Sequence, residues 1–218
     1  VDLWSDMMPG LAALGRPHFG NVYEDDSLDA MARRVLAESP KRFVLIGFSM
    51  GGFVARIATL MAPERVAGVA FICSSARAQS AAEDAHKQTR ITALNAPGAR
   101  GGSARTFSQA LHPDRERDPV LIERLRSMTR RLGKEVMIRQ LTPSRADGYA
   151  DLERIACPSL VIAARQDRLR RFEETERMAK HLPNSRFAVV EECGHMAPLE
   201  RPREVAALLT RWIADNGL

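Results

Sequence analysis

The fold is decided by residues 42–52, which run Arg42-Phe43-Val44-Leu45-Ile46-Gly47-Phe48-Ser49-Met50-Gly51-Gly52. An apolar run ends at Gly47, and from Met50 to about Met61 the apolar residues recur at helical spacing. A second apolar run, Val66–Ile72, follows. Continuous apolar runs are typical of strands that are buried on both faces of a parallel sheet. The stretch therefore predicts a strand, a helix and a second strand parallel to the first.

The same alternation returns near the carboxyl end of the chain. Pro158–Ala164 and Arg186–Val190 are predicted strands, with a helix over Glu173–Leu182 between them. A final amphipathic helix is predicted over Pro202–Ile213, where the apolar residues again have helical spacing. Together the two regions predict an α/β fold with a mostly parallel, doubly wound sheet.

Residues 77–147 follow a different pattern, with no convincing strand. Helices are predicted over Ala76–Leu94 and Pro119–Leu132, and the glycine-rich stretch Ala96–Ser103 predicts a flexible break between them. We therefore expect residues 1–76 and 148–218 to form the α/β core, and residues 77–147 to form an inserted helical segment.

The first 40 residues carry the weakest pattern. A helix is predicted over Leu3–Leu14, a poor strand over His18–Val22, and a helix that begins at Asp26 or Ser27 and ends at Glu38. A strong apolar strand at the start of the chain is missing.

Composition and charge exclude several classes of protein. Of the 218 residues, 45% are hydrophobic and 27% charged, as in ordinary globular domains. No apolar stretch approaches the roughly 18 residues of a membrane span, so no membrane association is expected. The net charge is +5, but residues 76–150 hold 14 of the 32 basic and only 8 of the 27 acidic residues. Because the 12 aromatic residues do not interleave with the basic ones, nucleic-acid binding is not expected.

Cysteine usage and motif spacing exclude further classes. Cys73, Cys157 and Cys193 are odd in number and far apart, which predicts reduced thiols and a cytoplasmic protein. No signal peptide is visible in the first residues. No metal-ligand spacing and no phosphate-binding glycine loop occurs in the chain, so neither a metal ion nor a cofactor is expected.

The chemistry-bearing motif is Gly47-Phe48-Ser49-Met50-Gly51, which has the form Gly-x-Ser-x-Gly. It lies where a predicted buried strand ends and a helix begins, the position at which this motif forms a nucleophile elbow. Gly47 and Gly51 would let the chain turn tightly and expose Ser49, and the Met50 N–H at the start of the helix would face a developing oxyanion. The alternative is a glycine-rich turn in which Ser49 only caps the helix.

A serine nucleophile needs a base and an orienting carboxylate. His195 lies in the loop after the last predicted strand, and Asp167 lies in the loop after the preceding one. Because the carboxyl ends of parallel strands meet at one edge of a sheet, we expect both to converge on Ser49. The chain order Ser, Asp, His is also the order of one hydrolase architecture.

Other assignments of these residues remain open at this point. His195 is alternatively a capping or core histidine, and Asp167 a loop residue paired with a neighbouring arginine. Glu191 and Glu192 are weaker candidates for the orienting carboxylate, because they precede the loop that carries His195. Cys193 is expected to be a small filler residue. The remaining histidines are expected to be solvated: His18, His86, His112 and His181.

The chain resembles the α/β-hydrolase superfamily over nearly its whole length. The resemblance is carried by Phe43–Gly52, Ala62–Val66, Ala164–Asp167 and Gly194–Pro202. Within the superfamily the chain looks most like small bacterial carboxylesterases, including the pimeloyl-carrier-protein methyl esterase group. The resemblance implies Ser49 as nucleophile, His195 as base, Asp167 as its partner and the Met50 N–H as an oxyanion donor. It also implies that residues 77–147 form a lid over the site.

The start of the chain departs from the family pattern. The family opens with two or more strands and with a loop that supplies a second oxyanion N–H, and this chain starts after the place where they would stand. One of those strands lies centrally in the family's sheet. We therefore expect the chain to be truncated at its amino end, with N-terminal strands missing.

These observations predict a serine hydrolase that cleaves a carboxylic ester or thioester through an acyl-enzyme on Ser49. The substrate is expected to be a small-molecule ester or an acyl-carrier conjugate. The basic insertion, with Arg124, Arg126, Arg130 and Arg131, favours an anionic one. The alternatives are other chemistry on the same fold, namely C–C bond hydrolysis or a cofactor-free peroxidase-like activity, or a non-catalytic binding protein without an oxyanion loop.

Overall fold

The computed structural model describes residues 2–98 and 104–218 and contains one parallel sheet. Its strands are β1 (Phe43–Phe48), β2 (Val66–Ile72), β3 (Ser159–Ala164) and β4 (Ser185–Val190). The strands lie side by side in chain order, and all three pairings are parallel. The predicted α/β class with a parallel sheet is confirmed, and each of the four strands lies within two residues of its predicted bounds.

Helices connect and cover the strands. Short 3-10 turns lie at Ser5–Met7 and Pro113–Arg115. In chain order the α-helices are α1 (Met8–Leu11), α2 (Leu28–Glu38), α3 (Met50–Met61), α4 (Ala81–Asn95), α5 (Ala104–Ala110), α6 (Pro119–Leu132), α7 (Lys134–Leu141), α8 (Tyr149–Leu152), α9 (Phe172–His181), α10 (Ala197–Glu200) and α11 (Pro202–Asp215). Within the described residues, none of these helices is long and apolar enough to cross a membrane.

The core lies on both faces of the sheet, because successive side chains of a strand point to opposite faces. Val69 and Phe71 of β2 pack with residues of α3, α8 and α9 on one face. Ala70 and Ile72 pack on the other face, in a cluster that includes the fully buried Trp212 of α11. Helix α2 packs outside α3 and extends the core there. Since both faces are covered, the strands read as continuous apolar runs in the sequence.

The N-terminal region differs from its prediction. Residues 16–26 form no strand, so the expected strand over His18–Val22 is wrong. The backbone oxygens there bond to side chains of α7 instead: Gln140 donates to the Val22 carbonyl and Arg139 to the Tyr23 carbonyl. The predicted helix over Leu3–Leu14 is confined to one 3-10 turn and the short α1. The helix predicted from Asp26 or Ser27 is present, with the Ser27 side chain as its cap.

The described part of residues 77–147 is helical, with α4 to α7 and one 3-10 turn. Helix α4 begins at Ala81 rather than at the predicted Ala76, because Ser80 and Glu83 form a capping box that fixes its start. Helix α6 matches its prediction, with Asp118 as cap and Pro119 at the first turn. The predicted break over Ala96–Ser103 falls largely on residues 99–103, which lie outside the described residues.

A partly buried charge cluster ties the start of α4 to the core. Arg77 donates to Glu83 at 2.7 Å and to Glu174 of α9 at 2.8 Å, and Arg145 donates to Glu83 at 3.0 Å. Burial alone would raise the pKa of Glu83, but the Arg77 hydrogen bond, the Ser80 N–H and the Arg145 charge outweigh it and lower the pKa to about 2. The ionised Glu83 therefore contributes to stability above pH 4.5, and that contribution is lost as the pH falls towards 2.

We expect Glu83→Gln to lower the free energy of unfolding at pH 7 by roughly 1–2 kcal/mol, less than the full pKa shift implies because water reaches part of the side chain. Urea unfolding at pH 7, 5 and 3.5 would measure the difference from the wild type. It should be constant down to about pH 4.5 and shrink below that. Glu123→Gln is the control, because Glu123 is an exposed carboxylate of α6 that pairs with Arg126 and Arg130 of the same helix. An equal loss in both variants would contradict the assignment.

Candidate active site

Ser49 lies at the junction of β1 and α3, where the chain turns with no intervening loop. Its backbone has φ 50° and ψ −112°, a conformation that non-glycine residues rarely adopt. The Ser49 N–H donates to the Ile72 carbonyl at 2.9 Å, and the Ser74 hydroxyl donates to the Ser49 carbonyl at 2.9 Å. Two hydrogen bonds from the end of β2 thus hold the strained residue in place.

The glycines around Ser49 have different steric roles. A Cβ on Gly47 would overlap the Gly51 carbonyl oxygen and lie 2.7 Å from the carbonyl carbon, so the turn leaves no room for a side chain there. Gly52 is equally constrained, because its Cβ would overlap the Ser74 side chain. A Cβ on Gly51 would meet no atom of the described chain within 4 Å. Of the two glycines predicted for the elbow, only Gly47 is required by packing.

Met50 is the first residue of α3. The first N–H groups of a helix have no acceptor within the helix, and the helix dipole places positive potential there. Met50 directly follows Ser49 in the sequence, and its N–H is therefore available to an anionic oxygen.

The structure brings Ser49, His195 and Asp167 into one hydrogen-bonded chain. His195 Nε2 lies 2.8 Å from Ser49 Oγ, and His195 Nδ1 lies 2.7 Å from Asp167 Oδ2. The side chains of His195 and Asp167 are only 7% and 1% exposed. In the tautomer that carries its proton on Nδ1, facing the carboxylate, Nε2 is free to accept the serine proton. This is the arrangement that activates a serine hydroxyl as a nucleophile.

Asp167 is held by the backbone of its own loop. Its Oδ1 accepts the N–H groups of Leu169 and Arg170, each at 2.8 Å, which leaves Oδ2 for His195. The arginine side chains near Asp167 bond elsewhere: Arg165 pairs with Glu191, Arg168 with Glu116, and the Arg170 guanidinium with Glu83. The structure therefore does not place Asp167 in the arginine pairs that the sequence left open.

The other carboxylates weighed for this position lie apart from His195. Glu191 pairs with Arg165, and Glu192 pairs with Arg201 at 2.7 Å. Both side chains are exposed.

The insertion packs against the loop that carries His195. The Phe48 ring lies 5.1 Å from the His195 ring, centroid to centroid. The Met196 N–H, next to His195, donates to the Ala110 carbonyl at 3.1 Å. Sequence reasoning missed these contacts, because Phe48 appears only as a variable position of its motif. An apolar cluster joins the two regions here: Phe107, Ala110, Leu111, Leu125, Met196 and Leu199.

Comparison with known proteins identifies the family. The sequence profile described as the alpha/beta hydrolase family matches residues 8–208, most of the chain. The chain belongs to the alpha/beta hydrolase family. The resemblance carried by the sequence motifs is thereby confirmed.

Individual members of the family differ in how much they share with this chain. It is 26% identical over 218 residues to monoacylglycerol lipase ABHD6 of Bos taurus, covering 88% of this chain and 62% of the lipase. It is 37% identical over 83 residues to pimeloyl-[acyl-carrier protein] methyl ester esterase of Edwardsiella ictaluri, covering 34% of this chain and 32% of that enzyme. A solved structure of a thermophilic esterase from Thermogutta terrifontis aligns with TM-score 0.84 and 23% identity, over 98% of this chain and 85% of that one. The chain spans less than two thirds of the lipase, and the likeness to the esterase structure concerns the fold.

The remaining histidines of this alpha/beta hydrolase lie outside the hydrogen-bonded chain. Two of them are not solvated as predicted. The His112 side chain is only 12% exposed, and its Nδ1 accepts the Asp114 N–H. His181 packs on the Tyr149 ring and bonds to Glu153.

The cysteines next to the site are buried and protonated. Burial raises the pKa of the Cys73 and Cys193 thiols well above its usual range. The Cys193 thiol bonds to the Gly194 carbonyl, which agrees with its expected role as a filler residue. Across residues 2–98 and 104–218, no cluster of three or more His, Cys, Asp or Glu side chains could hold a metal ion.

The four arginines of α6 that suggested an anionic substrate are occupied by carboxylates of the chain itself. Arg124 pairs with Asp6, and Arg131 pairs with Asp2 at 2.8 Å. Arg126 and Arg130 share Glu123. These arginines fasten α6 to the N-terminal segment or to its own helix, so their number says little about the charge of a substrate.

We expect Gly47→Ala to lower the free energy of unfolding by more than about 2 kcal/mol, because the new Cβ would overlap backbone atoms that cannot move without opening the turn. The matched control is Gly51→Ala, which should leave stability unchanged or raise it by up to about 1 kcal/mol because alanine favours the helix. Urea unfolding of both variants would test this. Equal destabilisation would show that the turn does not discriminate between the two glycines.

Proposed function

We propose that this chain is a serine hydrolase that cleaves a carboxylic ester or thioester through an acyl-enzyme on Ser49. The observation that carries the proposal is the hydrogen-bonded chain from Ser49 Oγ through His195 to Asp167. Membership of the alpha/beta hydrolase family supports it, and the relatives named as lipase and methyl ester esterase favour ester chemistry.

In the first half of the reaction, His195 Nε2 takes the hydroxyl proton as Ser49 Oγ attacks the substrate carbonyl. The negative charge that develops on the carbonyl oxygen is stabilised by the Met50 N–H at the start of α3. Asp167 keeps the imidazole in the reactive tautomer and stabilises the imidazolium that forms. His195 then gives its proton to the departing alcohol or thiol, which leaves the acyl group on Ser49.

In the second half, a water molecule loses a proton to His195 and attacks the acyl carbonyl. His195 returns the proton to Ser49 Oγ as the acid leaves, so the enzyme is restored. No cofactor takes part in either half.

The insertion, residues 77–147, is proposed as the lid of this site. Its Ala110 and Leu111 lie against the loop that carries His195, and its apolar cluster with Met196 borders the Phe48 ring. Because the arginines of α6 are paired, the proposal does not require an anionic substrate. We favour small-molecule esters, with an acyl-carrier conjugate as the other substrate class.

We expect a fluorophosphonate to add once to the wild type and not to Ser49→Ala, as measured by intact-protein mass. The control is Ser185→Ala, which removes a hydroxyl at the amino end of β4, the opposite edge of the sheet, and should label like the wild type. A folded wild type that stays unlabelled would contradict the proposed nucleophile and favour a non-catalytic binding protein.

We expect Asp167→Asn to lower kcat for p-nitrophenyl acetate by a factor on the order of 10³–10⁴, because an amide does not hold the reactive tautomer of His195. The control is Glu191→Gln, which removes an exposed carboxylate near the end of β4 and should leave kcat unchanged. If Glu191→Gln caused the larger loss, Glu191 rather than Asp167 would be the partner of the base.

A further inference from the structure

A second buried carboxylate is bound to the loop that carries His195, and the proposed mechanism does not use it. Glu200 is the last residue of α10 and only 5% exposed. Its Oε1 accepts the Gly194 N–H at 3.0 Å, and its Oε2 accepts the His112 N–H at 2.8 Å. One oxygen thus binds the residue directly before His195, and the other binds the insertion.

The two backbone segments that Glu200 joins are in close contact. A Cβ on Gly194 would overlap the Leu111 carbonyl carbon and the His112 nitrogen, so the segments touch backbone to backbone. Further bonds run in parallel: the Met196 N–H donates to the Ala110 carbonyl, and the Arg115 guanidinium donates to the Glu200 carbonyl at 2.9 Å. The loop of His195 is therefore tied to the insertion on both sides of the histidine.

Glu200 is a costly residue to place there. Burial raises the pKa of its carboxyl group, and the two N–H groups together with Arg115 and His112 act against that rise. Burying a carboxylate costs free energy unless each oxygen is bonded. An apolar residue would fill the space at lower cost, but it would leave the Gly194 and His112 N–H groups without an acceptor.

We propose that Glu200 is a positioning residue that bridges the His195 loop to the insertion and so sets the distances from His195 to Ser49 and Asp167. This rests on the proposed function, because its catalytic consequence requires His195 to act as the base. The bridge needs two acceptor oxygens at full side-chain length. Glutamine keeps the shape but offers one acceptor, and aspartate keeps the charge but is one methylene too short to reach both N–H groups.

The first measurement is the second-order rate constant of fluorophosphonate labelling at Ser49 between pH 5 and 9. Circular dichroism gives the folded fraction of each variant, and the rate is expressed per folded molecule. We expect Glu200→Gln and Glu200→Asp each to lower the plateau rate by 10- to 100-fold. The midpoint of the pH profile should move to lower pH, because Asp167 stabilises the imidazolium less once His195 is displaced from it. The control is Glu192→Gln, an exposed carboxylate on the same loop, which should keep the wild-type rate and midpoint.

The second measurement is hydrogen exchange at the Gly194 and His112 amides, which does not depend on Ser49 chemistry. Both should exchange at least tenfold faster in Glu200→Gln and Glu200→Asp than in the wild type. If the two amides exchange faster as expected but the wild type is not labelled by fluorophosphonate, the proposed function is contradicted and the structural bridge is still supported.

Two outcomes would overturn the positioning role. One is wild-type labelling rates and pH midpoint in folded Glu200→Gln. The other is full recovery of rate and amide protection in Glu200→Asp, which would assign the effect to charge alone. A lower melting temperature with an unchanged labelling rate per folded molecule would mean that Glu200 only stabilises the fold.

Discussion

The left-handed turn at Ser49 is the constraint on which the rest of the site depends. Where a strand passes directly into a helix, the backbone must change direction within one residue. Here that residue is Ser49, with φ 50°. Such a backbone costs about 1–3 kcal/mol and persists only where its surroundings hold it. Hydrogen bonds to Ile72, the last residue of β2, and from Ser74, two residues later, hold the turn in place. Gly47 and Gly52 have no side chains, which leaves room for the backbone to turn. The turn thereby places the Ser49 side chain and the Met50 N–H together at the junction of β1 and α3.

The parallel sheet determines which other residues can reach Ser49. Because all four strands run the same way, the chain leaves β1, β3 and β4 at the same edge of the sheet. Asp167 comes from the loop after β3 and His195 from the loop after β4, neighbouring strands in the sheet. The hydrogen-bonded chain from Ser49 to Asp167 is thus a consequence of strand order, and its precise distances are set by the loops.

The sequence predicts the parts of this structure that depend on local pattern. Apolar runs locate the four strands, and the Gly-x-Ser-x-Gly spacing with the residues after β3 and β4 locates the three side chains of the site. The expected strand over His18–Val22 is absent because that segment pairs with none of the four strands, and its Val22 carbonyl instead accepts a hydrogen bond from Gln140 of α7, distant in sequence. The pairs of Arg124 with Asp6 and of Arg131 with Asp2 could not be predicted either, nor could the bond from the His112 N–H to Glu200, since each joins residues more than 80 positions apart. The charge count of the insertion therefore does not by itself predict the charge of a substrate.

The two carboxylates that flank His195 are both bound by backbone N–H groups rather than by arginine side chains. For Asp167 this matters electrostatically: an arginine on the same carboxylate would compete for its lone pairs and weaken its attraction for a protonated imidazole. Arg165 and Arg168 lie within two residues of Asp167 in the sequence, and in the structure they pair with Glu191 and Glu116. Amide dipoles bring no net charge, so they orient Asp167 and leave its negative charge for His195. The same logic applies to Glu200, whose oxygens fix the loop of His195 through neutral donors. In the proposed reaction His195 gains and loses a proton, and the groups that hold it need not change their own charge.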